Sequence, residues 1–268
     1  MIPKVFLNLT NYAFFRRLVW KPIYEVLAKT LNYDDWHFMN YGYMPFESES
    51  PIVLTNNDEI HRCSIQLYHF LATQIDLKGL EVLEVGSGRG GGANYIKKYL
   101  GAKKMVGMDI AFNAIKFSRK THVTEGLFFV QGNAEKLPFG DGSFDVILNV
   151  ESCHAYGSVP KFLKEVKRVL CKGGHFLCTD IRSPEGMNAL RNHLLNSGLS
   201  LIKEDVISNN VVKAIEHEEV IKQKRIEENV PKWFQNMFKE FAGVEGSEIH
   251  EGLKSNELVY HSFVMLND

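Results

Sequence analysis

Gly86-Ser87-Gly88-Arg89-Gly90-Gly91 follows the apolar stretch LEVLEV (80–85) and precedes the helical text ANYIKKYL (93–100). Glycines in such a run let the backbone turn tightly against a ligand, and a helix N-terminus presents amide groups to it. Asp109 closes the next apolar stretch, where a carboxylate can accept hydrogen bonds from ribose hydroxyls. Further along stand His154 and Asp180. An imidazole, with an ordinary pKa of about 6.5, can take a proton from a hydroxyl at neutral pH. His154 lies just beyond FDVILNV (144–150) and Asp180 near the end of GHFLCTDI (174–181). The two are expected at neighbouring strand ends, with Asp180 orienting the imidazole or acting as base itself. The plainer reading leaves His154 only to shape a pocket, with positioning supplying the acceleration.

Alternating elements supply the frame for these residues. LEVLEV, KMVGMDI (104–110), LFFVQGN (127–133), FDVILNV and GHFLCTDI read as strands. ANYIKKYL, AFNAIKFSRKTH (111–122) and VPKFLKEVKRVL (159–170) read as helices between them, the last with Pro160 near its start and KGG closing it. Such alternation predicts a mostly parallel sheet covered on both faces, with ligands beyond the carboxyl ends of its strands. Asn57-Asp58 offers an N-cap for a helix over roughly 59–74. A helix over 186–196, a strand over LSLIKEDVIS (199–208) and the apolar strand ELVYHSFVML (257–266) follow the core. Residues 209–245 read as a helical cap inserted before that last strand. The expected organisation is an N-terminal helical and lid segment (1–75), then one α/β domain (76–268).

The glycine run satisfies two fingerprints. Gly86, Gly88 and Gly91 fit GxGxxG of dinucleotide sites, while Glu84 with Gly86, Gly88 and Gly90 fits ExGxGxG of S-adenosylmethionine sites. A glycine turn that merely permits strand–helix packing is the bland alternative. GNAEKLPF (132–139), DGSFDVILNVESCHAY (141–156) and RVLCKGG (168–174), in that order, resemble the class I S-adenosylmethionine-dependent methyltransferases over about residues 80–182. IQLYHFLATQIDL (65–77), GGGANY, NVESCHAY and the tail GVEGSEI…ELVY are similar to the phthiotriol/phenolphthiotriol dimycocerosates methyltransferase group, whose members O-methylate a hydroxyl on a long lipid. ESCHA is also similar to text in sterol C-methyltransferases. The resemblance implies a Rossmann-like α/β fold with a seven-stranded, mostly parallel sheet, an antiparallel last strand, an N-terminal helical lid and a helical cap. It implies S-adenosyl-L-methionine as donor and S-adenosyl-L-homocysteine as product. Glu84 and the Gly86, Ser87, Gly88 and Gly90 backbone would hold the methionine end. Asp109, followed by Ile110, would take the ribose; Asn133 and Ala134 would border the adenine; Asn149 would lie near the methionine moiety by its backbone. The family usually carries Asp where Asn133 stands, and often Arg-Pro where Cys171-Lys172 stands. In similar enzymes a His and an Asp at the positions of His154 and Asp180 serve the acceptor.

Composition narrows the partners. The chain has 268 residues, 45% apolar and 24% charged, with 31 basic against 32 acidic residues, so no global field recruits nucleic acid. Four cysteines form no CxxC pair, and no apolar run reaches a membrane-spanning length, so a reduced, cytoplasmic setting is expected. Residues 1–31 set Lys4, Arg16, Arg17, Lys21 and Lys29 against Glu25 alone, among Phe6, Phe14, Phe15, Trp20 and Tyr24. Two readings stay open: peripheral contact with a membrane surface, or a helix packing its apolar side on the domain. Tyr33, Asn40 and Tyr41, around FMNYGYMP, would close over the donor or pack as an aromatic loop. His61 and His69 read as packing or surface residues, Cys153 as a small apolar filler, and the EHEE run (216–219) as a solvated helix face. No metal is expected, because no second ligand set has zinc-like spacing.

Trp233, Phe234, Met237, Phe238 and Phe241 share one helical face in the cap. With the aromatic N-terminus they favour a lipophilic hydroxylated or phenolic small molecule as acceptor. O-methylation is the expected reaction, with His154 as general base. Competing readings are a C-methyltransferase of a sterol- or quinone-like substrate, an NAD(P)-dependent oxidoreductase, a non-catalytic donor-binding module, and an RNA or protein methyltransferase. Oligomeric state stays open.

Overall fold

A computed structural model describes residues 36–46 and 52–268. Tyr33 and the aromatic, basic stretch over 1–31 lie outside the described residues. Seven strands form one sheet: β1 (Glu81–Val85), β2 (Lys104–Asp109), β3 (Leu127–Gln131), β4 (Phe144–Val150), β5 (Leu170–Arg182), β6 (Ser200–Val206) and β7 (Val259–Leu266). Their order is β3-β2-β1-β4-β5-β7-β6. β1 to β5 pair in parallel, and β7 runs antiparallel between β5 and β6. The chain leaves β1 towards β2 and β3, then returns to β4 on the other side. That reversal opens a crevice at the carboxyl ends of β1 and β4, where the glycine run emerges.

The central strands are continuous apolar runs because both of their faces are covered. Neighbouring side chains alternate between two cores. Val82 joins Leu67, Leu71, Ile96 and Val264 in one. Leu83 joins Ile147, Phe162, Val166 and Phe176 in the other. The covering helices are α1 (Asn56–Glu59), α2 (Arg62–Ala72), α3 (Gly91–Tyr99), α4 (Phe112–Thr121), α5 (Val159–Val169) and α6 (Pro184–Leu195). Between β6 and β7 stand α7 (Ser208–Asn229), α8 (Lys232–Ala242) and α9 (Glu248–Lys254). Ser158 and Ser183 cap α5 and α6, each accepting a hydrogen bond from a first-turn amide and each with proline in that turn. Each cap contributes about 1 kcal/mol.

Two local expectations change. The helix expected over 59–74 is split into α1 and α2, and its cap is not Asn57-Asp58: Thr55 stands at the N-cap. Asp58 is drawn off by long-range partners, accepting from Lys98 Nζ at 2.7 Å and Tyr99 Oη at 2.5 Å. Cys171-Lys172-Gly173-Gly174 is no loop after α5 but the first part of β5. Asn267 clasps this stretch, donating to the carbonyls of Leu170 and Cys171 and accepting from the Gly173 amide. Of the aromatic stripe in the cap, the side chains of Trp233, Phe234, Met237 and Phe241 lie outside what is described. Phe238 of the same stripe is buried and meets the edge of Trp36, ring centroids 5.0 Å apart, as a packing residue.

Candidate active site

The glycine run crosses from β1 into α3 at the crevice. The two glycines at its centre do different work. A Cβ on Gly90 (φ +82°) would stand 2.6 Å from the Phe129 ring, so that position must be glycine for packing. A Cβ on Gly88 (φ +51°) would meet only Met39 Sδ, at 3.6 Å, among the described residues. Gly88 is therefore where the turn leaves room for a ligand. The amides of the run are not idle. Those of Gly86 and Ser87 donate to the Met108 carbonyl, that of Gly90 to Ser87, and that of Gly91 to His37. The turn thus offers shape more than open N–H groups, which differs from the expectation for a helix N-terminus.

Two carboxylates flank it. Asp109, at the end of β2, accepts from the Gly88 amide (2.9 Å) and the Ala111 amide (2.8 Å). Carboxylate oxygens accept more than one hydrogen bond, so it suits ribose hydroxyls as well. Glu84 is fully buried, and Tyr68 Oη donates to its Oε1 at 2.6 Å. Burial raises its carboxyl to about 7, against the pull of Tyr68 and the Ala93 amide. Its Oε2 is buried with no hydrogen-bond partner. An orphaned oxygen beside an open turn suits the ammonium of an amino-acid ligand, and the residues present fit S-adenosylmethionine. Ile110 and Asn133 are exposed beyond the ends of β2 and β3, and Ala134 is buried beside them. Asn133 Oδ1 accepts from the Glu135 amide. Asn149 is buried and turns its side chain to internal ties: Nδ2 donates to the Val85 carbonyl and Tyr156 Oη, and Oδ1 accepts from the Cys153 amide.

Across the crevice, His154 sits in a 3-10 turn (Cys153–Ala155) beyond β4, and Asp180 near the end of β5. The structure joins them: His154 Nδ1 lies 2.7 Å from Asp180 Oδ1. A buried carboxylate there places the proton on Nδ1 and makes Nε2 the lone-pair nitrogen of the neutral ring. Arg182 Nε donates to Asp180 Oδ2 at 2.9 Å, and the Cys153 thiol approaches the same oxygen at 3.2 Å. Burial opposes the charge on Asp180, but Arg182 and His154 outweigh it and hold the carboxyl well below its ordinary value. Cys153 is thus no apolar filler, since it also receives Arg182 Nη2 at 3.3 Å. Among the described residues no group of three His, Cys, Asp or Glu could hold a metal ion, and no helix is long and apolar enough to cross a membrane. Of the remaining histidines, His61 is buried in the turn between α1 and α2, and His69 Nδ1 lies 2.7 Å from Tyr95 Oη. In the EHEE run, Glu216 and Glu219 bind His250 Nε2 and the Glu245 amide.

Four participants were not anticipated: Arg182, Glu151, Tyr260 and Met39. Glu151, first beyond β4, has a left-handed backbone (φ +45°). Its Oε1 accepts from Tyr260 Oη (2.7 Å) and the Tyr41 amide (3.0 Å). A carboxylate directly after a buried apolar strand, inside NVESCHAY, is the signal that could have found it.

The fold and the paired sites define a class I S-adenosylmethionine-dependent methyltransferase. Residues 83–178 match the methyltransferase domain family. The chain is 34% identical over 260 residues to the phthiotriol/phenolphthiotriol dimycocerosates methyltransferase of Mycobacterium leprae (strain TN), covering 96% of this chain and 95% of that one. It is 42% identical over 198 residues to the fatty-acid O-methyltransferase of Mycolicibacterium smegmatis, covering 73% and 71%. The crystal structure of geranyl diphosphate C-methyltransferase from Streptomyces coelicolor A3(2), in complex with Mg2+, geranyl diphosphate and S-adenosyl-L-homocysteine, superposes with a TM-score of 0.65. That match has 14% identity and covers 91% of this chain and 98% of that one. This chain belongs to the family of the phthiotriol/phenolphthiotriol dimycocerosates methyltransferases.

Proposed function

We propose that the protein moves a methyl group from S-adenosylmethionine to a hydroxyl oxygen of a lipophilic small molecule, with His154 as general base. The observation that carries this reading is the 2.7 Å contact of His154 Nδ1 with buried Asp180 at the crevice. The relatives support the acceptor class, since their names specify lipid and fatty-acid substrates. When bound, S-adenosylmethionine supplies a methyl carbon already activated by its sulfonium. Glu84 takes the amino end, and the Gly86, Ser87, Gly88 and Gly90 backbone walls the methionine portion, with Asn149 shaping the floor. Asp109 takes the ribose, and Ile110, Asn133 and Ala134 edge the adenine. His154 accepts the hydroxyl proton on Nε2 as the oxygen–carbon bond forms and the sulfur–carbon bond breaks, its electron pair staying on sulfur. Asp180 keeps the ring oriented and offsets the positive charge that develops on it. Arg182 keeps Asp180 ionised.

The test uses donor labelled on its methyl group, the purified protein and total lipid extract, with organic and aqueous phases counted separately. Label should enter the organic phase and fall about 100-fold or more with His154→Ala at saturating donor. Near-wild-type turnover by that variant removes His154 as base, and label confined to the aqueous phase overturns the lipophilic acceptor.

A further inference from the structure

Residues 37–41 run directly over the glycine turn. The Gly91 amide donates to the His37 carbonyl, and Met39 Sδ faces Gly88. Beyond them the chain is tied to the body of the domain: the Tyr43 amide donates to Cys63 of α2, and the Met44 amide to Asn210 of α7. At Tyr41 the segment meets the floor of the site, through the bond from its amide to Glu151 Oε1. That same oxygen accepts from Tyr260 of β7, while the Glu151 amide donates to the Thr179 carbonyl of β5. Glu151 therefore joins β4, β5, β7 and the overlying segment at one point. Of the described non-glycine residues, only Asn256 shares its positive φ. Such strain costs of order 1–3 kcal/mol and persists where surrounding structure enforces it.

We infer that Glu151 is a positioning residue that fastens residues 37–41 over the donor turn through the Tyr41 amide. The inference rests on the reading of the crevice as the S-adenosylmethionine site. Its action is exerted on the segment, not on the reacting atoms. The groups facing Glu151 are Tyr41 of the segment, Tyr260 of β7, His154 of the 3-10 turn, Asp180 of β5, Lys222 of α7 and Tyr68 of α2. Enclosure pushes its carboxyl up to about 7, against the two hydrogen bonds and His154. A carboxyl raised by enclosure favours the closed state when protonated, so this contribution to the fastening is full below the ordinary value of 4.5 and is lost as pH rises from there to about 7.

The experiment is S-adenosylhomocysteine binding to the full chain by calorimetry from about pH 4.5 to 8, with amide exchange of the 37–43 peptide followed alongside. Glu151→Ala removes both bonds, so affinity should fall about tenfold and Tyr41 exchange should quicken. Glu151→Gln keeps an oxygen for both donors and carries no charge. It should bind like the wild type at about pH 4.5 and lose the decline between there and about pH 7. Tyr260→Phe removes one of the two donors and should weaken binding about threefold. Unchanged affinity in Glu151→Ala overturns the inference, as does a Glu151→Gln variant as weak as Glu151→Ala. Should Glu151→Ala fail to fold, unchanged binding in Tyr260→Phe overturns it as well. A wild-type protein that does not bind S-adenosylhomocysteine overturns the underlying donor reading instead.

Discussion

Asp180→Asn tests the pair at the centre of the site. The side chain is fully buried, and it faces His154 Nδ1 on one oxygen and Arg182 on the other. Asparagine fits the space but carries no charge, and its amide group can donate to Nδ1. That favours the tautomer with the proton on Nε2, which cannot accept one from a hydroxyl. Turnover should fall about 100- to 10,000-fold at saturating donor. Arg182 would keep its charge with its partner neutralised, and breaking a buried pair costs about 3–5 kcal/mol. For a chain of this size that lowers the melting temperature by about 6–20 °C. The oxygen of the introduced amide can still accept from Arg182, so the lower end is expected. The sign of the pH dependence follows from the depressed carboxyl. Its contribution is present above the unfolded value of 3.8 and is lost as pH falls through the lower folded value. The gap between wild type and variant is therefore full at neutral pH and closes in acid below 3.8. Labelled-methyl turnover and thermal melts at neutral pH and in acid read both effects. A variant that melts with the wild type and keeps a third or so of its turnover refutes the role of the charge in both stability and tautomer choice.

The glycine turn separates packing from binding. Gly90→Ala should destabilise the fold by about 2 kcal/mol or more, since the left-handed backbone and the Phe129 ring both oppose a methyl group, and thermal melts will show it. Gly88→Ala should cost only about 1 kcal/mol in the same melts, yet weaken S-adenosylhomocysteine binding by calorimetry, because its Cβ would take up the room between the turn and Met39 Sδ at 3.6 Å. Glu84 has a folded value raised to about 7 from 4.5, so its favourable contribution is complete below 4.5 and lost as pH rises through 7. The melting temperature of the ligand-free protein should therefore fall over that window, and Glu84→Gln should flatten part of the fall. An unchanged profile removes Glu84 as a buried titrating group.

The legible parts of the sequence were those governed by local pattern. Val82 and Leu83 alternate between cores just as an apolar run between turn residues requires. The glycine run, Asp109, and the placement of His154 and Asp180 at neighbouring strand ends could all be read from strand boundaries. What could not be read depends on distant partners. Asp58 looked like a cap, but Lys98 and Tyr99 of α3 hold its carboxylate. The glycines after α5 looked like a loop, but Asn267 stitches them into β5. Arg182 and Tyr260 carry no local signature, since their importance lies in which buried oxygen they reach. Glu151 lay inside a motif already in view, and only its backbone geometry and its two donors mark it out.

The position of β7 has a consequence for the order of events in synthesis. β6 pairs with β7 and with no other strand among the described residues, and β7 is also the partner of β5 on that side. A nascent chain that has reached Val206 can assemble β1 to β5, whose contacts are mostly between neighbours in sequence. It must then carry β6 unpaired through the whole of α7, α8 and α9. Until Val259–Leu266 emerge, the open edge of β5 and the loose β6 are two adhesive strands awaiting a third. The helices made in that interval give the growing polypeptide something to fold while it waits. Completion of the sheet is thus a late, long-range event, and the ribosome or a chaperone has the most reason to shield the chain during that interval.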